Sequence, residues 1–166
     1  MSSRSPENIL LRLPDTEEEQ VRGIFDALEQ RGFPRQHQRP HISVTFAPRM
    51  RQSVVESAAA LLPPLLPARL DRVGTVVFGT KSKQTVAWLL EAPEALERAA
   101  RQLSAENPDG RGERWVPHLT LGLRLPKSMV PGYIGALAEV TNPHIRALTA
   151  DRAVYYRPTV GQDLQF

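Results

Sequence analysis

Two short phrases in this chain carry the residue types that proton transfer needs. They are Arg39-Pro40-His41-Ile42-Ser43-Val44 and Val116-Pro117-His118-Leu119-Thr120-Leu121, and both read Pro-His-apolar-hydroxyl-apolar. Two imidazoles with an ordinary pKa of about 6.5 can supply a neutral base and a protonated acid together near neutral pH. That division of labour suits in-line displacement at phosphorus: one ring takes a proton from the attacking oxygen while the other gives one to the departing oxygen. The hydroxyls of Ser43 and Thr120 would hydrogen-bond the non-bridging oxygens, whose charge must be held. Such a scheme requires neither a metal nor a cofactor. A two-histidine metal site would want a carboxylate or a third histidine, and the phrases offer none. The other two histidines, His37 and His144, share neither the phrase nor an evident strand face with the pair.

In an extended strand alternate side chains face opposite ways, so each histidine shares a face with the hydroxyl two residues on. Ile42 and Val44, or Leu119 and Leu121, then point into a core, and each proline falls at a strand start, where a missing N–H is tolerated. The flanking pattern predicts the elements that would hold these strands. Asn8 to Leu13 reads as a strand. A helix follows from Thr16 to Arg31, with Thr16 and Glu19 as a capping box and Gly32 as C-terminal cap. The first phrase lies on a strand from His41 to Ala47, and a second helix around Val54 to Leu62 ends at Pro63-Pro64. Leu70–Phe78 and Thr85–Leu90 form a hairpin with a cationic tip, Gly79 to Gln84. A helix from Pro93 to Leu103 and a loop from Ser104 to Arg114 lead to a strand Trp115–Leu123 bearing the second phrase. A helix near Met129 to Val140, a single strand-like stretch Ile145–Tyr156 and a turn-rich tail with one edge strand complete the chain. Irregular alternation with a hairpin predicts an α+β fold with antiparallel or mixed sheets. Each histidine strand has a helix before and after it, so two similar lobes facing a shared groove are expected.

The 166 residues suit one folding unit over 1–166. The 41% apolar and 23% charged composition is that of a soluble globular protein. No apolar run approaches a membrane span and no secretory signal is recognisable, so a cytoplasmic protein is expected. Cysteine is absent, which excludes thiolate nucleophiles, disulfides and cysteine-ligated metal centres. The net charge of +3 is modest, but most of the cations are arginine, a residue suited to bidentate phosphate contacts.

The paired phrases, the order of elements and the segment Val73–Leu90 resemble the 2H phosphoesterase superfamily, specifically its branch of 2′-5′ RNA ligases and RNA 2′,3′-cyclic phosphodiesterases. The resemblance covers most of the chain. It implies a bilobed, pseudo-symmetric α+β fold, with two mostly antiparallel sheets facing a central groove and helices packed outside. It also implies His41 and His118 as catalytic residues, with Ser43 and Thr120 binding the substrate phosphate. The expected substrates are RNA 3′ ends or small nucleotides bearing a cyclic phosphate, opened to 2′-phosphates, with reversible 2′-5′ joining in some members. The resemblance favours His118 as base and His41 as acid, and no obligate protein partner is implied.

Relatives also place a basic residue just after the second phrase. Here Arg124 stands one position later, and whether it faces the cleft depends on whether the strand bulges or ends there. Arg39 precedes the first phrase and is a candidate phosphate contact, as are Lys81 and Lys83 at the hairpin tip. Phe46, Tyr155 and Tyr156 are candidates to stack on a base. Core packing is the commoner role for a residue like Phe46, and of the two adjacent tyrosines one must face away. Trp88 and Trp115 are expected in the core, and His37 in solvent. The competing reading is an RNA- or nucleotide-binding module of the same fold without significant turnover.

Overall fold

The structure is a computed structural model that describes residues 5–166. The elements run β1 (Glu7–Arg12), α1 (Asp15–Gln30), β2 (Ile42–Ala47), α2 (Gln52–Leu61), β3 (Ala68–Phe78), β4 (Lys83–Glu91) and α3 (Glu94–Glu106). There follow β5 (His118–Pro126), α4 (Val130–Val140), β6 (Ala147–Ala150), β7 (Arg152–Arg157) and β8 (Gln162–Gln165). The strands form two four-stranded antiparallel sheets, ordered β2-β1-β7-β8 and β5-β4-β3-β6. The α+β class and the two-sheet architecture are as expected.

Each histidine phrase lies on an edge strand, and the two edges, β2 and β5, lie against each other. The halves repeat one motif, β1–α1–β2 and β4–α3–β5, in which antiparallel neighbours are joined through a helix. The helices cover the sheets in pairs, α1 on α4 and α2 on α3. Their apolar stripes (Val21, Ile24, Phe25 and Leu28 on α1; Leu96, Ala99, Ala100 and Leu103 on α3) meet strand residues such as Ile9, Leu11, Ile42, Trp88 and Leu119 in one contiguous core. No helix among the described residues is long and apolar enough to cross a membrane.

Several local expectations change. The capping box is absent: α1 begins at Asp15 behind Pro14 with no side-chain cap, and Asp15, Glu17 and Glu18 place negative charge in its first turn. Glu17 accepts the Thr149 N–H at 2.6 Å, so the first turn holds β6. At the other end Gly32 is a cap, as expected. Its φ of 91° lets its own N–H and that of Phe33 reach the Glu29 and Leu28 carbonyls, at 2.9 and 3.1 Å. The second histidine strand starts at His118 and reaches Pro126, later at both ends than the expected Trp115–Leu123. The predicted strand Ile145–Tyr156 is two strands in different sheets, broken at Asp151: β6 pairs with β3, and β7 with β1. Leu148, Ala150, Ala153 and Val154 all face apolar surroundings, so hydrophobicity runs on through the break.

Candidate active site

Both imidazoles are held by the same backbone device. His41 Nδ1 lies 2.7 Å from the Arg39 carbonyl oxygen, and His118 Nδ1 lies 2.7 Å from that of Val116. A carbonyl only accepts, so Nδ1 carries the proton in each ring and Nε2 presents its lone pair. The prolines contribute to this. A residue before proline is confined to extended backbone, which aims the carbonyls of Arg39 and Val116 back at the histidine two positions on. His118 is steadied further by the Phe78 ring, with centroids 4.6 Å apart and planes at 54°.

Burial lowers the pKa of both rings below 6.5. For His41 the bond to the Arg39 carbonyl opposes this shift, and the charges of Arg12 and His118 add to it. For His118 the Val116 carbonyl opposes and Arg111 adds. His118 is thus one of the charges that His41 feels across the groove. At neutral pH both are mainly uncharged.

The hydroxyls are set by a matched irregularity. In β2, Leu10 pairs with Ser43 but Ile9 with Thr45, leaving Val44 as an extra residue. In β5, Ala87 pairs with Thr120 but Val86 with Gly122, leaving Leu121 extra. A bulge therefore follows the hydroxyl at the same place in each phrase, and it resets the alternation of the strand. Past the first bulge Thr45 turns inward, only 5% exposed, while Phe46 turns out with 52% exposed. The Ser43 hydroxyl accepts a hydrogen bond from Asn8 Nδ2 at 2.8 Å.

His41, Ser43 and Thr120 line a cavity of about 670 Å³ that also takes in Arg12, Arg39 and Tyr156. His118 and Ser43 line a smaller one of about 110 Å³ with Phe46, Arg111 and Trp115. Ser43 is common to both, so the four side chains of the two phrases converge on one place.

The other predicted residues divide. Arg39 is on the rim, but its guanidinium is engaged by Glu18 and by Asp163, the latter at 3.1 Å. Tyr156 faces the larger cavity; Tyr155 faces away, packs on the core and donates its hydroxyl to Glu7. Phe46 departs from the core packing expected of it and lines the smaller cavity, because the bulge reverses its side. Arg124 is outside both cavities: a second bulge in β5 leaves it in left-handed backbone, φ 51°, beside the hairpin tip. His37 is exposed at the rim of the larger cavity. Among the described residues no group of three or more His, Asp or Glu is arranged to hold a metal ion.

Sequence reasoning missed Asn8 and Arg12. Arg12 is 3% exposed, forms paired bonds to Asp163 at 2.8 and 2.7 Å, and lies 5.8 Å from the Tyr156 ring centroid. The available signal is their spacing: Asn8, Leu10 and Arg12 share one face of β1, and a polar face on a central strand has to be matched by something. Trp115 does join the core, and it also donates Nε1–H to the Ser43 carbonyl at 2.9 Å.

The architecture, two four-stranded antiparallel sheets with helices packed on them, has a counterpart among solved structures. Usb1 from Kluyveromyces marxianus, in a structure with uridine monophosphate, shares it with a TM-score of 0.50, 11% identity and 99% of each chain covered. No protein-family model matches the chain, and no curated protein matches its sequence.

Proposed function

We propose that this protein is a phosphodiesterase acting on RNA or nucleotide 3′ ends, and that it opens terminal 2′,3′-cyclic phosphates to 2′-phosphates by paired-histidine acid–base catalysis. The observation that carries the reading is the matched pair of Nδ1–H···O=C bonds, which leaves two Nε2 atoms free beside two hydroxyls. His118 Nε2 takes a proton from water as the water oxygen bonds to phosphorus. The bond from phosphorus to O3′ breaks, and protonated His41 gives its proton to O3′. Burial keeps the resting rings neutral, and the incoming phosphate anion favours the proton that His41 must carry. Ser43 and Thr120 donate to the non-bridging oxygens. The Asn8 bond to Ser43 Oγ polarises that hydroxyl for donation. A 5′-hydroxyl in place of water would give a 2′-5′ linkage by the same in-line displacement of O3′, so joining is the same chemistry with a different nucleophile. The nucleotide in the Usb1 structure supports a nucleotide ligand for this fold.

Incubation with nucleoside 2′,3′-cyclic phosphates in excess chelator, with identification of the product isomer, tests the reading. A 2′-phosphate is expected. Binding without any turnover would overturn it in favour of a nucleotide-binding module.

A further inference from the structure

We propose that the cavity between the β3–β4 hairpin tip and the end of β5 binds a backbone phosphate of single-stranded RNA, next along the strand from the phosphate that reacts. The natural substrate is then a polynucleotide end rather than a free nucleotide. This inference rests on the phosphodiesterase reading.

The cavity measures about 520 Å³ and is lined by Lys81, Lys83 and Arg124 together with the hydroxyl residues Thr80, Ser82 and Thr85. Among the described residues no acidic one lines it. Nor does any of the three cations form an ion pair among those residues. The larger groove cavity differs, because Arg12 and Arg39 are there compensated by Asp163 and Glu18. Uncompensated positive charge thus lies at the hairpin, and hydroxyls beside cations are the donors that phosphate oxygens accept from.

The cavity is built into the fold. Gly79 has φ 107°, and a Cβ there would lie 2.8 Å from the Lys83 carbonyl oxygen, so the tip closes only with glycine. Gln84 Nε2 donates to the Gly79 carbonyl at 3.1 Å, and the Lys127 N–H donates to the Ser82 carbonyl at 2.9 Å, tying the tip to the end of β5. Arg124 holds left-handed backbone, unfavourable for any residue but glycine, and its N–H donates to Thr85 Oγ1 at 3.1 Å. Strain of this kind persists where the surroundings enforce it, and it gathers at ligand sites. Phe78 lines the cavity and also packs on His118. An anion held here is therefore separated from the His118 imidazole by one aromatic ring, as a neighbouring phosphate of the strand would be.

The test is fluorescence anisotropy with a labelled single-stranded oligoribonucleotide ending in a 3′-phosphate, for the full chain and for the triple variant Lys81→Ala, Lys83→Ala, Arg124→Gly. Glycine suits the left-handed backbone at 124, so the fold is expected to persist, and circular dichroism checks this. Affinity should fall about tenfold or more, and the slope of log K against log salt should shrink by about 0.7 for each phosphate that is no longer neutralised. Unchanged affinity and slope would overturn the proposal, as would full displacement of the oligonucleotide by equimolar inorganic phosphate, which would assign the cavity to a free anion. In turnover, the ratio of kcat/KM for a cyclic-phosphate oligonucleotide to that for a nucleoside cyclic phosphate should drop about tenfold in the variant. An equal loss on both substrates would count against it. If the unmodified protein turned over neither substrate, the phosphodiesterase reading would fail, and the anisotropy result would still decide the cavity.

Discussion

Each lobe sends the loop ahead of its histidine across to the strand of the other lobe, and the two crossings differ in how wet they are. From the second lobe, Asn107 Nδ2 donates to Thr45 Oγ1 at 2.9 Å and to the Phe46 carbonyl at 3.1 Å, while Trp115 Nε1 reaches the Ser43 carbonyl. Asn107 is 3% exposed and Trp115 9%. From the first lobe, Gln36 Oε1 accepts the Leu123 N–H at 2.9 Å in solvent, backed by Gln38. Water competes with the Gln36 crossing and is excluded from the Asn107 crossing, so equal geometry implies unequal stabilisation. The position of β2 therefore depends on the opposite lobe. That of β5 depends on its own: Phe78 packs on His118, and the Tyr133 ring lies so close to Gly122 that a Cβ there would meet it at 2.8 Å.

The largest expected effects treat the lobes alike. His41→Ala and His118→Ala should each cut kcat/KM by about 10²–10⁴-fold, the usual scale for a lost general acid or base, with unchanged circular dichroism. Retained activity in either would break the equivalence of the two rings. The pH dependence is the second test. Activity needs one ring protonated and the other not, and burial lowers both pKa values below 6.5, so raising pH strips the acid while lowering pH protonates the base. The profile of kcat/KM should be a bell centred on the acid side of 6.5. A maximum above about pH 7 would contradict the lowered values.

What could be read from the chain follows the range of the physics. The phrases were legible because Pro-His-apolar-hydroxyl is a local code: proline sets the carbonyl, and the strand period sets the hydroxyl. The helices were legible from their stripes and, for α1, from Gly32. The bulges at Val44 and Leu121 were not, because an extra strand residue is defined by the partner strand and leaves no composition signal. Downstream of them, core packing was the role favoured for Phe46, which instead turns outward, and the side taken by Arg124 stayed open. Arg12 escaped notice because its buried charge is satisfied by Asp163, distant in sequence. The break at Asp151 escaped because both halves of the run face apolar surroundings.

The buried crossing gives the intermediate effects. Asn107→Ala leaves the Thr45 hydroxyl and the Phe46 carbonyl without their buried donor and should cost about 1–3 kcal/mol in urea unfolding. Trp115→Phe removes the N–H to Ser43 together with part of the buried indole, so its cost should fall on the same scale, with a packing loss added to that of the bond. Because the missing bond positions Ser43, the fall should appear in kcat more than in KM. A Trp115→Phe protein with unchanged kcat would mean that β2 does not need the bracket.

The smallest effect is expected at the exposed crossing. Gln36→Ala removes the acceptor for the Leu123 N–H, but water can take its place, so stability should change by no more than about 0.5 kcal/mol. The activity on a nucleoside cyclic phosphate should change correspondingly little, since Phe78 continues to hold His118. If Gln36→Ala instead matched Asn107→Ala in unfolding, the two crossings would be equivalent despite their difference in burial, and bracing of the groove would have to be assigned to the loops as a pair.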